Sequence, residues 1–397
     1  MRNLRKLNNE NENNNAMKYR LLILSFIIYH LSFSHAVAQS WKLVINKTDG
    51  STVEMATSDI SDIQFVNAEE APQYLPDENV DQLVIKEIYN GGCPMDEGTD
   101  FFHMDKCIIL YNNCPQRAVV NNLCIGFGTP YNAEANSISN IYGNDGSLVY
   151  EAEGFMPAQN GIWYYPYSLV VEPYSQVVVN VHGAIDNTQT YSQSVNYANK
   201  DYYCMYDPES GYNNTKYYPT PSDVIPTKHY LKTVKYGSSN AWPFSTTSPA
   251  LFIFQTQDVS PVDYANNADN LWYAPGEAQT PVYACIRVPN EWIIDAVEVF
   301  NAAKKETSKK RFTADLDAGY VYLTNKLGHT LYRNVDMVRT EALPENSGRL
   351  IYNYALGSDP SGIDAEASIA GGAHIIYIDT DNSSQDFHER QKCSLRD

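Results

Sequence analysis

Positive charge is scarce in this chain and is nowhere gathered into a surface that would grip a polyanion. Lys and Arg number 28 against 47 Asp and Glu, for a formal net charge of -19. Displacing the counterions of a nucleic acid takes clustered basic side chains. The one such run, Lys304, Lys305, Lys309, Lys310 and Arg311, reads as a solvated turn. Nucleic acid and anionic membrane surfaces are therefore not expected as partners. No CxxC spacing occurs, so zinc is poorly served. There is no GxSxG elbow, no HExxH (His388-Glu389 continues as Arg390, Gln391, Lys392) and no P-loop. Gly126-Phe127-Gly128 runs into Thr129-Pro130, which is not a dinucleotide loop. The histidines beyond residue 38 (His103, His182, His229, His329, His374 and His388) show no ligand pairing. Scattered carboxylates of the glycosidase kind are the exception, because they come from distant positions and leave no local signature. Glu151 and Glu153, read as sharing one face of a strand, are a weak example.

What the chain does contain starts with a leader. Met17, Lys18 and Arg20 precede the apolar run Leu21 to Phe33, and Ala36-Val37-Ala38 supplies a small-x-small exit. This is the pattern of a secretory signal peptide, with Met17 expected as the initiator and cleavage expected after Ala38. The run is short and is broken by His30, so it does not suit a spanning helix. Gln39, not a cysteine, directly follows the cleavage point, which argues against a lipid anchor. Export to the periplasm, the outer-membrane surface or the medium is expected, with no transmembrane segment. Seven cysteines then face an oxidising setting: Cys93, Cys107, Cys114, Cys124, Cys204, Cys285 and Cys393. Disulfides are allowed there. Cys107 and Cys124, each in a strand-like run, are one possible cross-strand pair, and buried free thiols are the alternative.

The mature start alternates in Trp41–Asn46 and Thr52–Met55 around Asp49-Gly50, a hairpin signal. Ile60 to Val66 can add a strand. Residues 39–67 thus form a small β-hairpin module, and 68–80, with Pro72, Pro76 and several acids, a linker. From residue 81 to 397 strand follows strand. The clearest are Gln82–Ile88, Cys107–Tyr111, Val119–Phe127, Leu169–Glu172, Gln176–Val181, Tyr230–Tyr236, Ala250–Gln255, Val282–Val288, Gly319–Leu323, Arg349–Tyr354 and Ala373–Ile378. Periodicity leaves Glu291 to Asn301 open between helix and strand. Short runs rich in Val, Ile and Tyr, bounded by Gly, Pro or Asn, point to an all-β sandwich. Thr188 to Thr227, rich in Tyr, Asn, Asp and Pro, reads as a long ordered loop.

These segments carry a resemblance. The hairpin module, with Ser58-Asp59-Ile60 and Ile63-Gln64-Phe65 closing it, is similar to one that follows the leader in Bacteroidetes surface proteins. The rest resembles an uncharacterised family of secreted Bacteroidetes domains of unknown function, which is similar in turn to the lamin-tail superfamily. The matching motifs begin with Ile85 to Gly92, Asp105 to Asn113, Ala241 to Ser245 and Ser248 to Ala250. They continue with Asp315 to Tyr320, Arg333 to Asp336, Ser361 to Ser368, and Asn382 to Arg390 running on to Ser394-Leu395-Arg396. The resemblance implies an immunoglobulin-like β-sandwich with long loop insertions and a cell-envelope setting. It brings no catalytic residues. Within the motifs, Arg333 with Asp336 and Arg390 with Asp386 are candidate ion pairs.

Tyrosine is abundant, at 31 residues against 13 Phe. Tyr and Trp offer stacking area with a polar edge. The dense run Trp163, Tyr164, Tyr165 and Tyr167, together with Tyr202, Tyr203, Tyr217, Tyr218 and Trp242, is the candidate binding face. Asp379, Asp381 and Ser383 place oxygens at alternate positions, a weak calcium candidate without the Gly and Glu of an EF-hand. The chain reads first as a non-catalytic envelope module that binds a glycan, a nutrient or a surface protein through aromatic loops. A secreted hydrolase with scattered carboxylates and a structural part of a surface assembly are the alternatives.

Overall fold

Runs of β-branched and aromatic residues form most of the regular elements in the structure, a computed structural model that describes residues 41–47, 50–61 and 74–396. The leader and the Ile63-Gln64-Phe65 closing motif lie outside the described residues. The chain divides into two units, Met1–Ala71 and Pro72–Asp397. In the first, Lys42–Asn46 pairs antiparallel with Thr52–Ala56. Gly50 takes a left-handed φ of 83° in the turn, a conformation open to glycine without steric cost.

The second unit is built on one sheet of twelve strands. Their order across the sheet is Val321–Leu323, Ile293–Asn301, Ala250–Gln255, Leu123–Phe127, Gly161–Tyr164, Tyr230–Lys235, Tyr203–Met205, Gln176–Asn180, Cys107–Asn112, Leu83–Tyr89, Thr330–Arg333 and Phe387–Arg390. The sheet is mixed: Tyr203–Met205 runs parallel to both of its neighbours. Its two edges lie against each other. Glu389 bridges them by accepting from the Thr324 amide at 2.8 Å and the Thr324 hydroxyl at 3.1 Å. The Ser384 hydroxyl adds a bond to Tyr320 O at 2.8 Å.

Every strand of this sheet sends side chains into a single apolar interior, from Leu83, Ile108 and Ile125 through Trp163, Val179 and Leu231 to Ile253, Val297, Leu323 and Phe387. The outer face is covered as well. Loops and a three-stranded sheet, Leu271–Trp272, Cys285–Pro289 and Phe155–Gln159, pack over Phe252 and Phe254. The strands Leu83–Tyr89 and Cys107–Asn112 are buried along their whole length. That is why they read as continuous apolar runs rather than as alternation.

Burial on both faces sets the role of the polar motifs. Arg311 and Glu298 are both fully buried and paired. The guanidinium also donates to Pro130 O and Ser248 O at 2.8 Å each. Arg333 binds Asp295, Asp379 and Asp386. Lys86 pairs with Glu366 and donates to Gln176, each at 2.6 Å. Glu87 takes the Ser394 amide at 3.0 Å, and Asp317 takes the Ser383 hydroxyl at 2.5 Å. Each charge meets a partner that offsets its desolvation. These polar residues thus lock together segments that are separate in sequence.

Several expectations are corrected. Arg311 is no solvated turn residue: Lys304, Lys305 and Lys309 are exposed, but the run folds back so that Arg311 reaches Glu298. Arg333 pairs with Asp386 rather than Asp336, which sits instead beside Arg339. Glu151 and Glu153 lie in an exposed 3-10 turn, not on a strand, and Glu153 pairs with Arg287 at 2.6 Å. Glu291 to Asn301 resolves into a 3-10 turn and the strand Ile293–Asn301. Val119–Phe127 is split by Asn122 in a left-handed conformation, φ 51°. Arg349–Tyr354 and Ala373–Ile378 are not ladder strands. Side chains take four of their backbone donors, Ser368 for Ile351, Asn346 for His374, Thr340 for Ile376 and Asn113 for Tyr377, and a single bridge between Val335 and Tyr377 is the extent of their strand pairing.

Candidate functional site

Three segments bound the candidate cleft. Beyond the strand Leu123–Phe127 the chain turns through Thr129, Pro130 and Tyr131 and enters a 3-10 helix, Asn136–Ile141. The Asn160-Gly161 turn, with left-handed φ at both residues, joins Phe155–Gln159 to Gly161–Tyr164 and presents Gln159 and Asn160. The loop from Ala274 to Cys285 closes the third side.

Together they enclose a cleft of about 410 Å³ lined by Thr129, Tyr131, Ser137, Asn140, Gln159, Asn160, Glu277, Val282 and Tyr283 among others. Tyr131 and Tyr283 are each 45% exposed and Val282 51%. Glu277 is the single carboxylate of the lining, and it accepts from Asn140 Nδ2 at 3.4 Å. Asn160 is held by its carbonyl, which accepts from the Tyr212 hydroxyl at 2.9 Å and the Tyr236 amide at 3.2 Å. The buried thiol of Cys285 lies at the floor. Burial pushes it up to about 12, so it stays protonated and is no nucleophile at neutral pH. The cleft thus offers apolar rings beside amides and hydroxyls, the inventory suited to an uncharged polyhydroxylated ligand.

The aromatic residues singled out from sequence fall elsewhere. Trp163, Tyr165, Tyr218 and Trp242 are buried to 4% exposure or less. The Trp163 ring stacks on Tyr212 at 5.7 Å and meets Trp242 at 6.5 Å. Tyr165 meets Tyr203 at 5.3 Å. The run from Trp163 and the segment Thr188 to Thr227 therefore do converge, but inside the molecule. Alternation along Gly161–Tyr164 turns Trp163 inward and Tyr164 to the outer layer. Tyr167 lines a separate open trough of about 460 Å³ with Tyr74, Asn121, Asn122, Tyr165 and Pro166. Tyr202 packs beside Cys393, and Tyr203 stacks on His229 at 4.1 Å. Tyr217 reaches His103 Nε2 at 3.2 Å. Beside it, burial pushes the Lys106 amine down to about 7 and His182 well below its usual value.

Asp379, Asp381 and Ser383 do not converge on a cation. Asp379 faces the Arg333 guanidinium, Ser383 is bound to Asp317, and Asp381 sits in a left-handed turn, φ 52°. Among the described residues, no group of three His, Cys, Asp or Glu side chains is placed to hold a metal. Nor is any described helix long and apolar enough to cross a membrane. Sequence reasoning missed Tyr131 and Tyr283. Their only signal was position, next to Pro130 and two residues after Pro281, where a ring is left outside any ladder.

Comparison with known proteins agrees with this fold. No curated protein matches the chain. A crystal structure of a DUF4876 family protein from Bacteroides thetaiotaomicron VPI-5482, at 2.50 Å resolution, aligns with a TM-score of 0.54 and 19% identity. The alignment covers 77% of this chain and 70% of that one. The chain thus shares the fold of that protein, and its residues 172–355 match the family described as protein of unknown function, DUF4876.

Proposed function

We propose that this chain is an exported, non-catalytic cell-envelope module that binds a glycan in the cleft between Tyr131 and Tyr283. The observation that carries the reading is the clustering of exposed Tyr131, Val282 and Tyr283 around one cleft that also presents the amides and hydroxyls of Thr129, Ser137, Asn140, Gln159 and Asn160. Sugar rings present apolar C–H faces and a polar edge, which such a lining complements. The hydrolase reading has less support. Glycoside hydrolysis needs two carboxyl groups within about 10 Å of each other across the scissile bond, and Glu277 stands alone in the lining. The assembly reading by strand addition has less support because the two sheet edges face each other.

Export rests on the leader pattern at Met17 to Ala38. We also propose that kinship with the DUF4876 family extends over the whole larger unit. We propose as well a relation to lamin-tail domains, which the all-β curled sheet supports and superposition on those domains tests.

A glycan array followed by titration calorimetry tests the binding reading. Tyr131→Ala and Tyr283→Ala should each weaken the best glycan about tenfold, the loss of one aromatic contact. An array without hits, or variants that bind as the parent does, would overturn it.

A further inference from the structure

Cys107 opens the strand Cys107–Asn112 and lies opposite Tyr89 in the register of Leu83–Tyr89. Two residues back along that strand, Glu87 holds the Ser394 amide at 3.0 Å and also takes the Ser394 hydroxyl. This anchor fixes the neighbouring Cys393 over the same face. Cys107 and Cys393 are both fully buried, in one cluster with Tyr89, Ile109, Val178, Val195 and Tyr197. Both are free thiols in the structure, and the Glu87–Ser394 anchor sets Cys393 against the sheet face that carries Cys107. The other thiols are engaged elsewhere. Cys124 donates to Asn122 O, Cys114 to Gln116 and Cys285 to Tyr283 O, while Cys93 and Cys204 lie in separate buried clusters. The Cys107–Cys124 pairing considered from sequence does not arise, because Cys124 sits in a different cluster.

We propose that Cys107 and Cys393 form a disulfide in the mature protein, fastening the C-terminal segment to the strand Cys107–Asn112. The bond forms by thiol–disulfide exchange with an external disulfide of the glutathione or oxidoreductase class. The Cys107 thiolate attacks that disulfide and releases one thiol. Cys393, having lost its proton, then displaces the second. Two cysteine sulfurs are oxidised, and one external disulfide becomes two thiols. Once formed, the bond lies beneath a closed apolar cluster, and a reductant reaches it on unfolding.

The compartment in which this happens rests on the export reading, so two preparations separate the claims. In the first, full-length chain from the cytoplasm is unfolded and refolded in mixed reduced and oxidised glutathione. It is then alkylated in denaturant and digested with trypsin. Of seven cysteines, five should alkylate. The peptide starting at Cys107 should be linked to the one starting at Cys393, with fragmentation placing the bond on Cys107 rather than Cys114. Cys393→Ser should abolish the link and leave all six remaining thiols free, whereas Cys285→Ser should keep it. Reduction should lower the unfolding midpoint of the parent but not of Cys393→Ser. Seven free thiols, or a bond from Cys393 to Cys93 or Cys114, would overturn the pairing. In the second preparation the chain is recovered through its own leader and alkylated at once. The linked peptides there support export. Their absence there, with the link present after refolding, counts against export and leaves the pair standing.

Discussion

His388 should make this protein lose stability as the pH falls below 6.5, and a single substitution isolates the effect. The ring is 5% exposed. Its Nδ1 meets Asn334 Oδ1 at 2.7 Å and its Nε2 meets the Tyr354 hydroxyl at 2.5 Å. Asn334 Nδ2 donates to Gln385 O at 2.6 Å, which turns the amide oxygen toward the ring. Nδ1 therefore carries the proton and Nε2 accepts from Tyr354. A second proton at Nε2 would make Tyr354 give up donating and accept instead, while placing a charge in a buried site. Burial, with Arg390 nearby adding to it, pushes His388 down to about 4 from an ordinary 6.5. The unfolded chain takes up a proton near pH 6.5, whereas the folded chain refuses it until about 4. Stability is thus fully present above 6.5 and falls as the pH drops toward 4. The whole window is worth about 3.4 kcal/mol, and about 2 kcal/mol of it is lost by pH 5. The assay is urea unfolding followed by tryptophan fluorescence, at pH 7.5 and pH 5, for the parent and for His388→Gln. The parent's advantage over the variant should shrink by about 2 kcal/mol between the two. An advantage that stays constant would refute the tautomer argument.

Three further outcomes follow from the packing. Arg311→Met should cost about 3–5 kcal/mol because it strands Glu298 in a dry interior, and adding Glu298→Leu should recover part of that in a double-mutant cycle. Gly161→Ala should destabilise by at least about 2 kcal/mol: φ is +97° and a Cβ there would lie 1.9 Å from Val234 O. Both are read by chemical denaturation. Trp163→Leu should cost about 3 kcal/mol of stability while leaving glycan affinity unchanged, since the ring is part of the interior. A loss of affinity at constant stability would return Trp163 to the binding face.

The β character, most strand positions and the acidic balance were legible from local pattern, because a strand's composition reflects the burial of its faces. Leu83–Tyr89 and Cys107–Asn112 announced themselves as unbroken apolar runs. The strands Thr330–Arg333 and Phe387–Arg390 did not, since they carry Arg and His whose partners come from distant segments. Ala373–Ile378 looked like a strand and is not one, because Asn113, Thr340 and Asn346 supply the bonds a ladder would have given. No window of sequence contains both halves of such a bond. The same limit applied to the site. A ring's chemistry is fixed by its residue type, but its exposure is set by what folds over it. Trp163 and Trp242 were covered by each other and by Tyr212. Tyr131 and Tyr283, unremarked in the sequence, were left at a shared opening. Residue types determined that this chain forms a β core and carries many aromatics. Only long-range closure of the sheet decided which of them meet water, because burial depends on the whole folded surface.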